Sequence, residues 1–450
     1  MLDYVRHDTS YVLTNRMDDF AGNVVGSPFS TWAGPVTVAL SAEYRRQTLR
    51  NISDNQPGTI DCTGLRYNCI SGGTTVTVAN VAANAYGAQT VKEAAIEADL
   101  PLLRNAGIAQ ALNVNASARY ADYRTSGGNW TWKLGLDWKV NDLLRFRATR
   151  SRDVRAPTLY DLFQPARLSR IGYLDLLTGV NSVANAEVRG NPALRPERSD
   201  TTTVGAVVTP APRLSFALDY YRIRINDAIA SLSATDSSIQ SQCNESAGTS
   251  PLCDLYVRPL GATNTSAANY PTLIRSQTLN VASIFTEGVD AEANWSVPVG
   301  SGTLALRGLA SYQPKLETRQ TPNDIVINGA GAAGLSKWRV TGFFNYNIGA
   351  FGVNVLERWR SSQRQSGDPR LVFAIADVPA ASFTDLTLTF DTQKTSRNMQ
   401  FFVSVQNLFD KTAPVYVGTG SAAAPGYAYP AVSGDDILGR YFTFGIKARF

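Results

Sequence analysis

A chain of 450 residues with 44% hydrophobic and 18% charged side chains and 35 glycines is too ordered in composition for a disordered protein and too polar for a helical membrane protein. No run approaches the ~18 apolar residues that a membrane helix needs. The single histidine, His7, weighs against Ser-His chemistry and histidine-based metal centres, since His is the commonest general base and metal ligand. The formal charge of +5 comes from basic residues spread along the chain, which read as wall and loop charges and not as a nucleic-acid surface.

In chain order, alternation of apolar and polar positions predicts 15 strands, at about 24–32, 36–47, 89–101, 108–120, 129–139, 142–151, 199–209, 213–227, 279–297, 302–312, 337–348, 351–360, 383–393, 398–408 and 437–450. Val36, Val38, Leu40, Ala42 and Tyr44 set the pattern early. Its cleanest instance is Trp130-Thr131-Trp132-Lys133-Leu134-Gly135-Leu136-Asp137-Trp138-Lys139, in which every even position is apolar. Extended, Trp130 to Trp138 rises roughly 26 Å, and a tilt of ~40° lowers this to about 20 Å of depth, near the ~25 Å apolar band of a membrane barrel. Trp130 and Trp138 are therefore candidates for opposite aromatic girdles. In the strand from Arg213 the pattern slips at Tyr220-Tyr221, so that Ile223 and Ile225 take over the apolar positions, as a bulge or the rim of a membrane would produce. The last strand places Phe442, Phe444, Ile446, Ala448 and Phe450 on one face and Thr443, Gly445, Lys447 and Arg449 on the other.

Connections alternate in length. Short turns are predicted at Ala33-Gly34-Pro35, Arg104-Asn105-Ala106-Gly107, Asn141-Asp142, Pro210-Ala211-Pro212, Pro298-Val299-Gly300-Ser301, Gly349-Ala350 and Thr395-Ser396-Arg397. Between them lie polar segments rich in Gly, Ser and Pro, roughly 47–88, 152–198, 228–278, 313–336, 361–381 and 409–436, with only 121–128 brief. Strands greasy on one face and polar on the other, joined alternately by short and long connections, predict an all-β fold: a transmembrane antiparallel up-and-down β-barrel, short turns periplasmic and long loops extracellular.

Five motifs occur in a fixed order. They are Trp32-Ala33-Gly34-Pro35 leading to Glu43-Tyr44-Arg45; Ser151-Arg152-Asp153-Val154-Arg155-Ala156-Pro157 followed by Gly190-Asn191-Pro192-Ala193-Leu194-Arg195-Pro196-Glu197; Glu287-Gly288-Val289-Asp290-Ala291-Glu292; Val405-Gln406-Asn407-Leu408-Phe409-Asp410-Lys411; and Gly439-Arg440-Tyr441-Phe442. In this order they resemble the barrel of TonB-dependent outer-membrane receptors, over roughly residues 24 to 450.

The resemblance implies a bacterial outer-membrane protein that takes up a ligand such as an iron chelate, cobalamin or an oligosaccharide, without a cofactor. It implies contact with outer-membrane lipid and lipopolysaccharide. The barrel-assembly machinery would read a terminal signal carried by Phe442, Phe444 and Phe450. Family members also carry an N-terminal plug that engages an inner-membrane energy-coupling complex, and a 22-stranded barrel. Neither a plug nor a signal-peptide pattern is found here, because Met1 to Asp8 carries early charges and no apolar segment. The expectation is therefore an incomplete barrel, residues 1–23 an extracellular loop remnant and 24–450 the C-terminal portion. Its first and last strands run the same way and stay unpaired, and the fragment alone does not transport.

Cys62 and Cys69 fall in one long loop and Cys243 and Cys253 in another, without C-x-x-C spacing or a neighbouring His, which favours two loop disulfides over zinc. Asn328-Gly329-Ala330-Gly331-Ala332-Ala333-Gly334 lacks a following Lys-Ser/Thr and reads as a flexible loop, not a phosphate cradle. Asp290 and Glu292 share the inner face of one strand and read as wall acids beside arginines such as Arg307. Loop aromatics, Tyr256, Tyr270, Tyr416, Tyr427 and Tyr429, suit either ligand stacking or loop packing. The alternatives are a passive porin, an outer-membrane phospholipase or protease, for which the histidine count is too low, and a soluble β-rich binding module, which the Trp130 to Trp138 strand opposes.

Overall fold

Side chains alternate across a strand, so a period of two in hydropathy gives one apolar and one polar face. Every strand expected from that period forms. The computed structural model describes residues 10–53, 63–64, 83–392, 398–416, 432 and 434–449. Strands β1 (Tyr11–Thr31), β2 (Gly34–Ser53), β3 (Ala85–Ala106), β4 (Ala109–Tyr123), β5 (Gly127–Lys139) and β6 (Leu144–Arg155) form a meander. There follow the short helix α1 (Leu159–Phe163), the hairpin β7 (Arg167–Leu174) and β8 (Asn181–Arg189), and two further wall strands, β9 (Glu197–Ala211) and β10 (Leu214–Ser233). Helix α2 (Ser237–Glu245), a 3-10 turn at Pro251–Leu255 and β11 (Tyr256–Val257) lead into β12 (Leu273–Val299) and β13 (Gly302–Arg319). The chain then runs through β14 (Ile327–Asn328), β15 (Trp338–Ile348), β16 (Phe351–Arg360), the pair β17 (Gln363–Arg364) and β18 (Asp377–Val378), β19 (Ala381–Asp391), β20 (Asn398–Gln406) and β21 (Tyr441–Arg449).

The main sheet has 19 strands. β7, β8, β11 and β14 belong to its long connections, and the other fifteen are wall strands, each paired antiparallel with the next. Among the described residues β1 pairs only with β2 and β21 only with β20. With an odd number of antiparallel strands the two ends run the same way, so the sheet is open.

Three expectations change. The first strand starts at Tyr11, not near residue 24, and pairs without interruption from Tyr11↔Ser53 to Gly26↔Val38. Arg16, Asp18 and Asp19 break the alternation there, and backbone pairing to β2 holds the strand without it. Residues 1–9 of the expected loop remnant lie outside the described residues. Second, the slip at Tyr220-Tyr221 is not a bulge. β10 keeps register with both neighbours from Phe216 to Ile225, and its irregularity comes later, between Ile225 and Ala228, where Asp227 has φ 54°. Hence Arg222 and Arg224 continue the apolar face upward while Ile223 and Ile225 face the other way. Third, the expected loop 152–198 contains α1 and a hairpin, and 228–278 contains α2.

The family-like motifs are structural locks. Glu197 accepts from Arg155 Nη2 at 2.7 Å and from the Ile229 amide at 2.6 Å, which ties β6, β9 and β10 together. Leu194 is buried, and Asn280 receives the Arg195 amide at 2.8 Å while donating to the carbonyls of Arg195 and Asp227. Asn407, at φ 49°, accepts the Lys411 amide and donates to its carbonyl, while its own amide donates to Asp385 Oδ1. The Arg440 amide donates to Asp410 Oδ1 at 2.9 Å. Each lock closes a connection that the sheet's own ladder leaves open.

Among the described residues the apolar face of the wall is left uncovered. Phe20, Val24, Trp130, Leu134, Leu218, Phe351 and Phe444 are exposed on its apolar face, and an apolar surface that size requires a lipid or protein cover.

Candidate ligand-facing surface

The polar face carries charges in register. Arg147 on β6 and Asp219 on β10 lie directly across from the same residue of β9, Gly205. With no side chain between them, Arg147 Nε reaches Asp219 Oδ1 at 2.7 Å. A Cβ on Gly205 would run into the Asp219 carboxylate and stand 3.1 Å from Arg147 Nε. On one side of this pair Arg145 Nε donates to Asp137 Oδ1 at 2.8 Å, and on the other Arg307 Nε donates to Glu292 Oε1 at 2.9 Å. Asp290 sits across from Asp219, and Asn294 also donates to Glu292. Glu292 is therefore a member of an ion-pair ladder along the wall, whereas Asp290 stands across from another acid, Asp219, and has no ion pair among the described residues.

A second cluster lies on β2, β3 and β4. Glu93, almost fully buried, is ion-paired with Arg119 and lies 3.6 Å from Arg45, which also holds Glu43 at 2.8 Å. Glu43, Glu93 and Arg119 line a hollow of about 440 Å³ with Ser117, Lys133 and Asp153. A neighbouring hollow of about 480 Å³ is lined by Arg16, Gln47, Gln89 and Tyr123, and by Pro157 to Tyr160 beside α1. Thr158 and Asp161 form a reciprocal cap at the start of α1, at 2.9 and 3.1 Å. The segment that walls this hollow is therefore fixed.

Beyond the wall, the two longest described connections fold onto each other. Tyr173, Ala184, Leu232, Ile239, Leu252, Leu255, Tyr256 and Ile274 share one apolar core with the bonded pair Cys243 and Cys253. β8 adds to the start of β12 in parallel. Under this core Arg258 holds Asp175 at 2.6 Å, both fully or nearly buried. Burial pushes the Asp175 carboxyl up, but hydrogen bonds from Arg258 and Thr178 outweigh it, and the net position is below the usual carboxylate range. Burial raises the Tyr173 and Tyr256 phenols above the ordinary tyrosine range.

The other expected site residues fall as follows. Cys243 and Cys253 are disulfide-bonded, whereas Cys62, Cys69, Phe450, Tyr427 and Tyr429 lie outside the described residues. Phe442 and Phe444 are exposed on the apolar face of β21. Trp130 and Trp138 stand at opposite ends of β5 on the apolar face, against Tyr120 and Phe146. Tyr256 and Tyr270 pack in the loops: their hydroxyls donate to the carbonyls of Ala234 and of Tyr173 and Ser182. The glycine-rich 328–334 stretch is an ordered turn, with Ala330 buried and its amide on Asn328 Oδ1. The Asp175–Arg258 pair had no signal in the sequence, since its members are 83 residues apart. Gly205, a glycine inside a strand, did carry one.

No curated protein sequence matches the chain. The fold is similar to that of a variant of the ferric enterobactin receptor of Pseudomonas aeruginosa, with a TM-score of 0.62 and 18% identity over 97% of this chain and 54% of that one. It is similar to the siderophore receptor PirA of Acinetobacter baumannii, with a TM-score of 0.61 and 15% identity over 98% and 55%. The ferripyoverdine receptor of Pseudomonas aeruginosa gives a TM-score of 0.53 and 14% identity over 90% and 46%. The chain spans about half the length of these solved structures. The family described as TonB dependent receptor-like, beta-barrel matches residues 2–408. With most of its length inside that match, the chain, whose wall is fifteen antiparallel strands, belongs to the TonB-dependent receptor family of outer-membrane β-barrel proteins.

Proposed function

We propose that this chain is the ligand-facing wall of a receptor that imports an iron chelate across the outer membrane, driven by an inner-membrane energy-coupling complex. The observation that carries the reading is the polar face: an arginine-rich surface in register from β2 to β13, overhung by a folded module built from two long connections. Donors such as the Arg45 guanidinium, the Gln47 and Gln89 carboxamides and the Tyr123 hydroxyl suit an anionic, oxygen-rich solute, with the guanidinium contributing charge-assisted hydrogen bonds. The similar solved structures are receptors for ferric enterobactin, ferripyoverdine and a siderophore, which points to ferric chelates within that class. Energy coupling belongs to the whole receptor, of which this chain is the barrel part.

The test is uptake of radiolabelled ferric siderophores by the source bacterium with and without the gene for this chain, each measured with and without a protonophore. The reading predicts loss of uptake of one chelate class in the deletion strain, and loss of the same uptake in the parent when the protonophore is present. Uptake that survives the protonophore and rises linearly with concentration would establish a passive pore instead.

A further inference from the structure

On the lumen face of the wall, β3, β4 and β5 place Glu97, Ser117 and Lys133 in one row, with Ser117 directly between the acid and the base. All three line the hollow of about 440 Å³, within the roughly 300–1,000 Å³ of small-molecule sites. The hollow exists because Ala21, Ser41, Ala95 and Ser117 are short, so the surface sinks between longer charged side chains. Most of those charges are already committed. Glu93 is paired with Arg119 and Glu43 with Arg45, and Asp153 accepts from the Ser151 hydroxyl at 2.7 Å. Glu97, Ser117 and Lys133 differ, for among the described residues none of them makes an ion pair or a side-chain hydrogen bond. Neighbouring strands lie ~4.8 Å apart, so the backbones that carry the acid and the base are about 10 Å apart. Glu97 and Lys133 reach each other only by stretching flat across Ser117, which costs the rotamer freedom of two long side chains for one solvent-screened pair.

From this placement we infer that the hollow binds a zwitterionic group of the transported solute, a protonated amine beside a carboxylate as in a free α-amino-acid end. The amine donates to the Glu97 carboxylate, the Lys133 ammonium donates to the solute's carboxylate, and the Ser117 hydroxyl between them donates to that carboxylate as well. Charge balance selects the occupant. A simple anion satisfies Lys133 but sets a second negative charge beside Glu97, and a simple cation does the reverse beside Lys133. A dipolar group satisfies both, in one orientation only. The neighbouring hollow lies further along β2 and β3, at Gln47 and Gln89, and faces the chelating part of the same solute. The inference rests on the chelate reading of the lumen and adds a feature to it: the chelate carries an amino-acid end that is not spent on iron.

The experiment measures equilibrium binding to outer membranes of the source bacterium, with and without the gene for this chain. The probes are radiolabelled ferric complexes in which a lysine is attached through its side chain to a tris-catecholate or a tris-hydroxamate chelator. Each is made with the α-amine and α-carboxylate free, with the amine acetylated, with the carboxylate amidated, and with both blocked. Gene-dependent binding of the free form should be at least about tenfold tighter than that of any blocked form. Glu97→Gln should abolish the preference for the free amine and keep that for the free carboxylate, and Lys133→Met should do the opposite. Lys447→Met, elsewhere on the lumen face, should match the parent. Equal gene-dependent binding of all four forms, or preferences that survive in both variants, would overturn the inference and leave the chelate reading intact. Absence of gene-dependent binding by every complex would overturn the chelate reading and the inference with it. Should the variants insert poorly, the comparison of the four forms on the parent protein decides alone.

Discussion

Arg147 and Asp219 meet across β9 only because the residue between them is glycine. Both side chains are partly exposed, so the pair itself is worth little, and the larger cost of filling the gap is steric. Gly205→Val should destabilise the barrel by about 1–3 kcal/mol, read as a lower urea midpoint in detergent micelles. An unchanged midpoint would mean that the ladder rearranges freely. Facing can be tested as sharply. Leu136 lies between Val114 and Ala148 on the apolar face, whereas Arg150 already stands opposite Leu134. Leu136→Arg should therefore cost about 2–4 kcal/mol of membrane stability, and Lys133→Leu on the lumen face much less. The reverse order would put the register wrong by one residue. At this scale the sequence spoke where period decides, as at Trp130 to Trp138. It was silent on Tyr256 and Tyr270, whose hydroxyls are committed to distant carbonyls that no local pattern announces.

The module built from the two long connections is the element in which structure departs most from the sequence reading. Its long segments are polar and interrupted by Gly, Ser and Pro, so no periodicity marks β7, β8 or α2, and their stability comes from a shared core assembled from both connections. The cystine was legible because Cys243 and Cys253 sit in one segment, while the buried Asp175–Arg258 pair was not. Removing one partner of a buried pair leaves an uncompensated charge, so Arg258→Ala should cost about 3–5 kcal/mol locally and expose 167–189 and 234–272 to hydrogen exchange and proteolysis. Asp175→Leu/Arg258→Met should protect better than the single change, and equal exposure of the two variants would remove the pair from the account. The pH dependence has a fixed sign. Because the folded carboxyl of Asp175 titrates below its unfolded value, its contribution is present above the ordinary carboxylate range and is lost as pH falls through the lower folded value. Protection of the module's amides, corrected for the intrinsic pH dependence of exchange, should therefore be flat from neutral pH down to about 4 and fall only in stronger acid.

Across the whole molecule, the fifteen strands, their order and the short turns within the described residues were readable, because a membrane wall one sheet thick obliges each strand to alternate, while the turn expected at Thr395-Ser396-Arg397 lies outside the described residues. The length of β1 and the upper part of β10 were not, because where strands rise past the lipid the apolar face is no longer required. That is how Arg222 and Arg224 follow Tyr220 on an unbroken strand, which the sequence alone presents as a slip in register. The central claim is that one face of this sheet meets lipid and the other a watery lumen. It is tested by placing a nitroxide label at each position from 130 to 138 of the membrane-inserted protein and measuring collision rates with oxygen and with a water-soluble nickel chelate. Oxygen collisions should peak at 130, 132, 134, 136 and 138 and nickel collisions at 131, 133, 135 and 137. Rates without a period of two, or with the two reagents exchanged, would contradict the account.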